Sequence, residues 1–225
     1  MNTSLTNAAR LFTAGLRALL VLTVVTGIVY PLVVTGVAQG LFPGKANGSE
    51  IKADGKVVGS SLIGQSYNLP LKEGRETPEP DLRWFQGRPA NGLGTNTVNT
   101  RYELILSGAT NRSADDPELL QWVQDAKAAV VRDNSVPGHP VRPEDVPADA
   151  VTSSGSGLDP DISPRYADLQ VHRVAAKNGL PAERVQELVD EHTTPRTLGF
   201  IGEPRVNVLE LNIALVELVA PGAGH

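Results

Sequence analysis

A run of uncharged residues near the N-terminus constrains the fold of this chain more than any other feature. The 21 residues from Ala18 to Ala38 include no Asp, Glu, Lys or Arg, and most of them are Leu, Val, Thr or Gly. As an α-helix with a rise of ~1.5 Å per residue, such a run spans roughly 31 Å, close to the ~30 Å hydrocarbon core of a bilayer. The run therefore predicts one membrane-spanning helix.

The charges around this run predict its orientation. Arg10 and Arg17 precede it, and no acidic residue occurs before Glu50. Lys and Arg residues close to a span tend to remain on the cytoplasmic side. We therefore expect the N-terminus to lie inside the cell and the rest of the chain to lie outside the cytoplasm.

Three segments follow from this interpretation. Residues 1–16 are predicted to be a short cytoplasmic N-terminus, residues 17–40 the transmembrane helix, and residues 41–225 an extracytoplasmic α/β domain. The alternative is a cleaved signal peptide, with the small residue Ala38 near the cut. The apolar part of a signal peptide is normally ~7–15 residues long, and the run here is longer, so we favour a retained anchor.

Two features inside the run favour a neighbouring helix. Pro31 removes one backbone hydrogen bond and is expected to kink the helix, which membrane helices tolerate when a neighbour satisfies the freed groups. Gly36 and Gly40 are four residues apart, so a second backbone could approach them closely. A face that meets only lipid is the alternative.

The remainder of the chain combines a few short strands with four helices. Residues 56–67 are typical of short strands joined by Gly turns. Segments that can be capped and that carry an apolar face predict helices over residues 117–132, 163–178, 181–192 and 207–218. The last of these has two apolar faces, and we expect it to be the most buried element. The pattern as a whole predicts a small α/β domain.

Composition argues against several classes of function. The chain has no cysteine, which excludes disulfides and thiolate metal sites. A net charge of −5 without a cluster of Lys and Arg argues against nucleic acid as a partner. The four histidines form neither an HxH nor an HExxH pair, so no metal site is predicted. We predict no catalytic residues.

The segment Ser153–Gly157 is the place where a ligand site can be argued from sequence. Backbone N–H groups of such small residues can surround a phosphate. However, Leu158-Asp159-Pro160 follows where a phosphate loop has Gly-Lys-Ser/Thr, and Ser156 lacks the Gly of a nucleophile elbow two positions earlier. We favour a tight turn ahead of a helix. The alternative is a set of nucleotide contacts at Ser153, Ser154, Gly155, Ser156 and Gly157.

Two arginines flank an aromatic pair in the middle of the chain. Arg83 and Arg88 lie close to Trp84 and Phe85, so they could bind an anion or stack on a ring. Residues of this kind more often hold a loop in place by hydrogen bonds and packing.

Several sequence blocks occur in order along nearly the whole chain. They are Tyr30–Gly36 with Gln39, Phe42-Pro43, Ala46–Ser49, Gly64-Gln65, Phe85–Pro89, Thr152–Pro160, Ile162–Pro164, Ala167, Gln170-Val171 and Gly202–Asn212. Any single block is weak, but the ordered set is specific. On these residues the chain resembles the C subunits of the Kdp high-affinity potassium-transporting P-type ATPases.

This resemblance implies a complex in the inner membrane with a channel-like potassium-binding subunit and an ATP-hydrolysing P-type subunit. It implies that the chain is a non-catalytic subunit needed for assembly, surrounded in part by the lipid bilayer. No cofactor is predicted for the chain itself, and ATP is the candidate ligand within the complex. Contacts with the partner subunits are then predicted at Pro31, Thr35, Gly36, Gln39, Gly40, Gln86 and Arg88.

Two other functions remain open at this point. The first is an ATP-binding regulatory subunit, a catalytic chaperone that raises the ATP affinity of the pump subunit through Ser153–Gly157. ATP hydrolysis is cytoplasmic, whereas the predicted topology puts this segment outside, so we favour assembly and expect any ATP effect to act through a population shift in the complex. The second is a secreted, signal-cleaved hydrolase.

Overall fold

The structure is a computed structural model of the chain and describes residues 3–74, 77–91, 93–95 and 105–220. The chain divides into two compact units, Met1–Glu50 and Ile51–His225. The first consists of a long apolar helix followed by one short helix, and the second is a small α/β region.

The long helix of the first unit is interrupted by one wide turn. It consists of α1 (Thr3–Val24), a π-helical turn (Val25–Val29) and α2 (Tyr30–Leu41). Its stretch Thr6–Leu41 has 36 residues and is long and apolar enough to cross a membrane, by length and composition. The helix begins before the uncharged run Ala18–Ala38 and includes Arg10 and Arg17.

The wide turn lies directly before the proline. Pro31 has no N–H group, and its ring would collide with the carbonyl four residues earlier in a regular helix. In the π turn the N–H of Tyr30 donates to the carbonyl of Val25, five residues back rather than four. Such single wide turns are common where a helix accommodates an irregularity. The distortion expected at Pro31 thus takes the form of a π turn.

The second unit begins with a two-stranded hairpin. Strands β1 (Glu50–Ala53) and β2 (Lys56–Ser60) pair with each other and are joined by Asp54 and Gly55. Both connecting residues have positive φ, 49° and 74°. This is the backbone of a type I′ turn, for which Asp-Gly is a preferred sequence.

A long loop follows the hairpin. An isolated bridge between Asn68 and Pro80 closes the base of its first part. Beyond residue 81 the chain forms turns rather than a helix as far as residue 91. Strands β3 (Gly94–Thr95) and β4 (Ile105–Leu106) then pair antiparallel.

Four helices of the second unit lie close to the predicted ranges: α4 (Pro117–Asn134), α5 (Pro164–Asn178), α6 (Ala182–Glu191) and α7 (Val208–Val219). Two 3-10 turns, Pro143–Asp145 and Ala148–Ala150, lie between α4 and α5. The short helix of the first unit is α3 (Pro43–Ala46). Side chains of Asp116, Ser163 and Asn207 accept hydrogen bonds from the first-turn N–H groups of α4, α5 and α7. These caps satisfy donors that have no partner within the helix.

A three-stranded antiparallel sheet connects these helices. Its strands are β5 (Asp161–Ile162), β6 (Thr193–Thr194) and β7 (Arg205–Asn207), in the order β5-β7-β6. Ile162 pairs with Val206, which also pairs with Thr193. Because β7 is the central strand and runs directly into α7, the sheet fixes where the last helix starts.

The core lies between α5, α6, α7 and the sheet, and α5 is its most buried helix. Seven residues of α5 are buried, against five of α7. The prediction that the last helix is the most buried element is therefore wrong. Leu211 and Leu215 on one apolar face of α7 are fully buried, whereas Val216 on the second apolar face is 49% exposed.

Candidate functional site

Two helix side chains hydrogen-bond to the backbone of the Phe85–Pro89 loop. Asn212 of α7 accepts from the N–H of Phe85 at 2.9 Å, and its amide nitrogen donates to the Phe85 carbonyl at 3.0 Å. In the same way, Gln170 of α5 accepts from the N–H of Gln86 at 2.7 Å and donates to its carbonyl at 3.0 Å. Each side-chain amide thus pairs with one N–H and one carbonyl of the loop, as a neighbouring β-strand would. These buried backbone groups are satisfied in this way without a strand beside them.

A buried arginine extends this network. Arg173 is 1% exposed, and its guanidinium donates to the carbonyls of Leu82 and Trp84 and to the side-chain oxygens of Asn134 and Gln170. Burial lowers the pKa of Arg173 to about 10, because the charged form loses its hydration. Four acceptors around one planar group compensate for that loss.

The side chain of Gln86 is also bonded within the domain. Its amide nitrogen donates to the carbonyls of Tyr67, at 3.1 Å, and of Asp81, at 2.9 Å. The preceding side chain, Phe85, is fully buried in the core. The loop that carries Gln86 is therefore held at its backbone and at two successive side chains.

Arg88 connects this loop to the serine-glycine segment. Its guanidinium contacts the Asp159 carboxylate at 2.9 Å and donates to the carbonyls of Thr152 and Ser153, each at 3.3 Å. The N–H of Asn91 also donates to the Ser153 hydroxyl at 3.1 Å. The structure therefore brings Arg88 and the segment Ser153–Gly157 together, although they lie more than 60 positions apart in the sequence.

The serine hydroxyls of this segment bind its own backbone. Ser156 Oγ accepts from the N–H of Leu158 at 3.1 Å, and Ser154 Oγ accepts from the N–H of Asp159 at 3.4 Å. The two hydroxyl oxygens are 3.3 Å apart. The N–H of Gly157 donates to the Ser154 carbonyl at 3.2 Å. These are the contacts of a compact turn.

The last glycine of the segment is in a conformation that other residues resist. Gly157 has a φ of 69°, and a Cβ atom placed there would lie 2.7 Å from Leu93 Cδ2 and 3.2 Å from the Gly108 carbonyl oxygen. At Gly155, by contrast, an added Cβ would meet nothing within 4 Å. Of these two glycines, only Gly157 is at a position where a side chain would be strained.

The segment borders an open concavity of about 560 Å³, whose charged lining residues are Arg88 and Asp159. These two opposite charges are paired with each other. Nearby, burial raises the pKa of Asp161, although the guanidinium of Arg205, at 3.0 Å, opposes this. A phosphate entering the concavity would meet the Asp159 carboxylate as well as Arg88, and Arg88 would have to leave Asp159 to bind it. Within the described residues, no group of three or more His, Asp or Glu could hold a metal ion.

The anchor residues predicted to meet a partner are on α2. Pro31, Thr35, Gly36 and Gly40 are all exposed, and a Cβ added at either glycine would meet nothing within 4 Å. The side chain of Gln39 instead exchanges two hydrogen bonds with the Asn47 amide, at 3.0 and 3.3 Å. This pair ties the residue after α3 back to the end of α2.

Sequence reasoning missed the roles of Gln170, Arg173 and Asn212. Each has apolar neighbours at helical spacing, as Asn212 has in Leu209 and Leu215. A polar residue at the centre of an apolar helix face was the available signal, since buried polar groups are almost always hydrogen-bonded. The partner, a loop 84 to 127 positions away, could not be read from that signal.

Comparison with known proteins identifies the family. The family model described as KdpC, the K+-transporting ATPase c chain, matches residues 12–217. The chain is 79% identical over 220 residues to the potassium-transporting ATPase KdpC subunit of Streptomyces avermitilis, covering 98% of this chain and 99% of that one. It is 47% identical to the KdpC subunit of Gemmatimonas aurantiaca, covering 91% and 94% of the two chains. The chain therefore belongs to the KdpC family, the C subunits of the potassium-transporting ATPase.

Proposed function

We propose that this chain is a non-catalytic, single-span subunit that stabilises assembly of the potassium-binding and ATP-hydrolysing subunits of a potassium-uptake ATPase. The observation that carries the proposal is the anchor helix in a chain of this family. Among the residues that the structure describes, none covers the most apolar stretch of this helix. A helix of this composition is stable only when lipid or other protein covers it, and a membrane complex offers both.

The orientation is part of the proposal. Arg10 and Arg17 precede the uncharged run, which favours a cytoplasmic N-terminus. We expect alkaline phosphatase fused to the C-terminal end of the chain to be active, because this reporter folds only outside the cytoplasm. Activity restricted to a cytoplasmic reporter fused at the same point would reverse the orientation.

The glycine face of α2 should carry a contact with another membrane helix. A Cβ added at Gly36 would meet nothing in the isolated chain, so Gly36→Leu is expected to leave the anchor helix intact. We expect this variant to lower co-purification of the partner subunits several-fold, since close helix approach in membranes depends on small residues.

Val33→Leu is the matched control, because it adds one methylene to a residue that is already large and 58% exposed. The yields are compared after affinity purification of the tagged full chain in mild detergent. Equal yields for the two variants would contradict a glycine-dependent contact.

The serine-glycine segment separates assembly from an ATP-binding role. Ser154 and Ser156 bind backbone groups of their own turn, so Ser154→Ala and Ser156→Ala should each lower stability by about 0.5–1.5 kcal/mol. We expect the ATP concentration that gives half-maximal pump activity to stay unchanged in complexes matched for subunit content. A several-fold rise at an unchanged melting temperature would support the regulatory role instead.

A further inference from the structure

A hairpin tip projects beyond the three-stranded sheet. Strands β6 and β7 pair as far as Thr194 and Arg205, and the pairing resumes at an isolated bridge between Thr197 and Ile201. Between these two points an ion pair joins Arg196 to Glu203. The hairpin therefore continues past the sheet as an ordered structure.

Three large apolar side chains are exposed at its end. Leu198 is 79% exposed, Phe200 72% and Ile201 51%. The first two values match those of Leu11 and Phe12 in the anchor helix, which are 74% and 72%. We call Leu198, Phe200 and Ile201 the apolar tip. Single exposed apolar residues are ordinary, but three within four positions of a projecting turn form a contiguous patch.

The backbone of the apolar tip is well ordered and locally unfavourable. Thr197 and Ile201 exchange hydrogen bonds at 2.9 and 3.0 Å, and the N–H of Phe200 donates to the Thr197 carbonyl at 3.3 Å. Leu198 has a φ of 55°, a left-handed conformation that Gly and Asn adopt readily and that bulky residues resist. Gly199 follows with a φ of 82°, so both residues have the positive φ that a tight hairpin turn requires, and Leu is an unfavourable residue at the first of these positions. The turn places the Leu198 side chain, 79% exposed, at the end of the hairpin.

The charges around the apolar tip indicate what it contacts. Residues 197–202 include no charged side chain, and the two charges at the base neutralise each other. Attachment to an anionic lipid surface relies on Lys and Arg, which residues 197–202 lack. An apolar centre with a polar rim is instead the composition of a protein–protein contact. The chain belongs to the KdpC family, whose members are subunits of an ATPase, so a protein partner is available for such a contact.

We propose that the apolar tip inserts into an apolar pocket on a partner subunit of the same ATPase, outside the lipid. This inference rests on the proposed function, because it requires that the chain assembles with such subunits. Leu198 and Phe200 are the central anchors, and the Arg196–Glu203 pair with Thr197 forms the rim that excludes water. The ordered hairpin makes the contact without first losing conformational freedom, which strengthens binding.

Thiol protection tests the contact directly. The chain has no cysteine, so Phe200→Cys introduces the only thiol of this subunit. We expect a water-soluble maleimide to label it about tenfold more slowly in the assembled complex than in the full chain alone in nanodiscs, as burial of an interface anchor requires. Leu120→Cys is the control, since Leu120 is 47% exposed on α4 and should label equally in both states.

Each other outcome overturns the proposal. Protection in nanodiscs of phosphatidylcholine and phosphatidylglycerol without partner subunits would assign the apolar tip to lipid. Protection that grows with the concentration of the chain alone would assign it to a second copy. Equal slowing at both positions would indicate shielding of the whole domain.

A second variant separates this inference from the proposed function. Leu198→Asn removes the apolar group while suiting the left-handed backbone, so the melting temperature of the chain should not fall. Its co-purification with partner subunits should decrease about tenfold, the change expected for loss of an interface anchor. A yield equal to that of the unchanged chain would overturn the proposal for the apolar tip and leave the proposed function standing. Failure of the unchanged chain to co-purify would overturn the proposed function and this inference with it.

Discussion

Replacing Gln170 by Met should destabilise the second unit by about 3–5 kcal/mol, because two backbone groups of Gln86 and one N–H of Arg173 lose their partner in the interior. The volume of the side chain is nearly unchanged, so the effect isolates the hydrogen bonds. At about 2–4 °C for each kcal/mol, the melting temperature should fall by roughly 10 °C.

The measurement is thermal unfolding of the full chain in detergent, followed by tryptophan emission. Both tryptophans, Trp84 and Trp122, are in the second unit, so the signal reports that unit. Gln121→Met is the control: Gln121 is exposed on α4 and bonds only to Asp125 in the contacts described, so its loss should stay within about 0.5 kcal/mol. Equal melting temperatures for the two variants would show that the amide pairing contributes little.

The network predicts non-additive effects as well. Gln170 and Asn212 hold consecutive residues of one loop, so releasing either should weaken what the other contributes. We therefore expect Gln170→Met and Asn212→Leu together to destabilise by less than the sum of the two single changes. A strictly additive double variant would mean that the two amides act independently.

Replacing Gly157 by Ala should destabilise the second unit by about 1–3 kcal/mol, because the φ of Gly157 is positive and an added Cβ would lie 2.7 Å from Leu93 Cδ2. The same change at Gly155 should be neutral or slightly stabilising, since the added atom meets nothing within 4 Å there. The two variants differ by two positions in one turn, which makes them a matched pair.

Thermal unfolding of the full chain distinguishes these outcomes, and subunit co-purification shows whether the damage reaches assembly. We expect the Gly157 variant to melt lower and to assemble less well, and the ATP dependence of the complexes that form to stay unchanged. Equal melting temperatures would argue against a structural role for Gly157. A shift in ATP dependence without a change in stability would favour the nucleotide interpretation of the segment.

Most of the helical architecture follows from local sequence. Asp116-Pro117, Ser163-Pro164 and Asn207 mark the starts of α4, α5 and α7, and Gly179 ends α5 with a φ of 66°. Caps and helical periodicity act over a few residues, so they can be read without knowing the fold. The uncharged run Ala18–Ala38 is likewise local, because its length and composition alone predict the long apolar helix.

Predictions about burial and pairing were less successful, because they depend on residues far apart in sequence. The two apolar faces of α7 look alike in sequence, yet Leu211 and Leu215 on one face are fully buried, whereas Val216 on the other is 49% exposed. Which face is covered depends on where α5 and the sheet lie. Arg88 holds a loop through its hydrogen bonds, but its partners, Ser153 and the flanking Thr152 and Asp159, lie more than 60 positions away and could not be read from the residues around it.

The sequence by itself determined the long apolar helix, the positions of the four later helices and the family, because each depends on local composition, on caps or on an ordered set of short blocks. Only the tertiary structure decided that Gln170, Asn212 and Arg173 hold the Phe85–Pro89 loop and that Ser154 and Ser156 bind their own turn. The physical reason is that a buried polar side chain must find a partner, while nothing local specifies which one. That choice is made when packing of the apolar faces brings distant backbone groups within hydrogen-bonding distance.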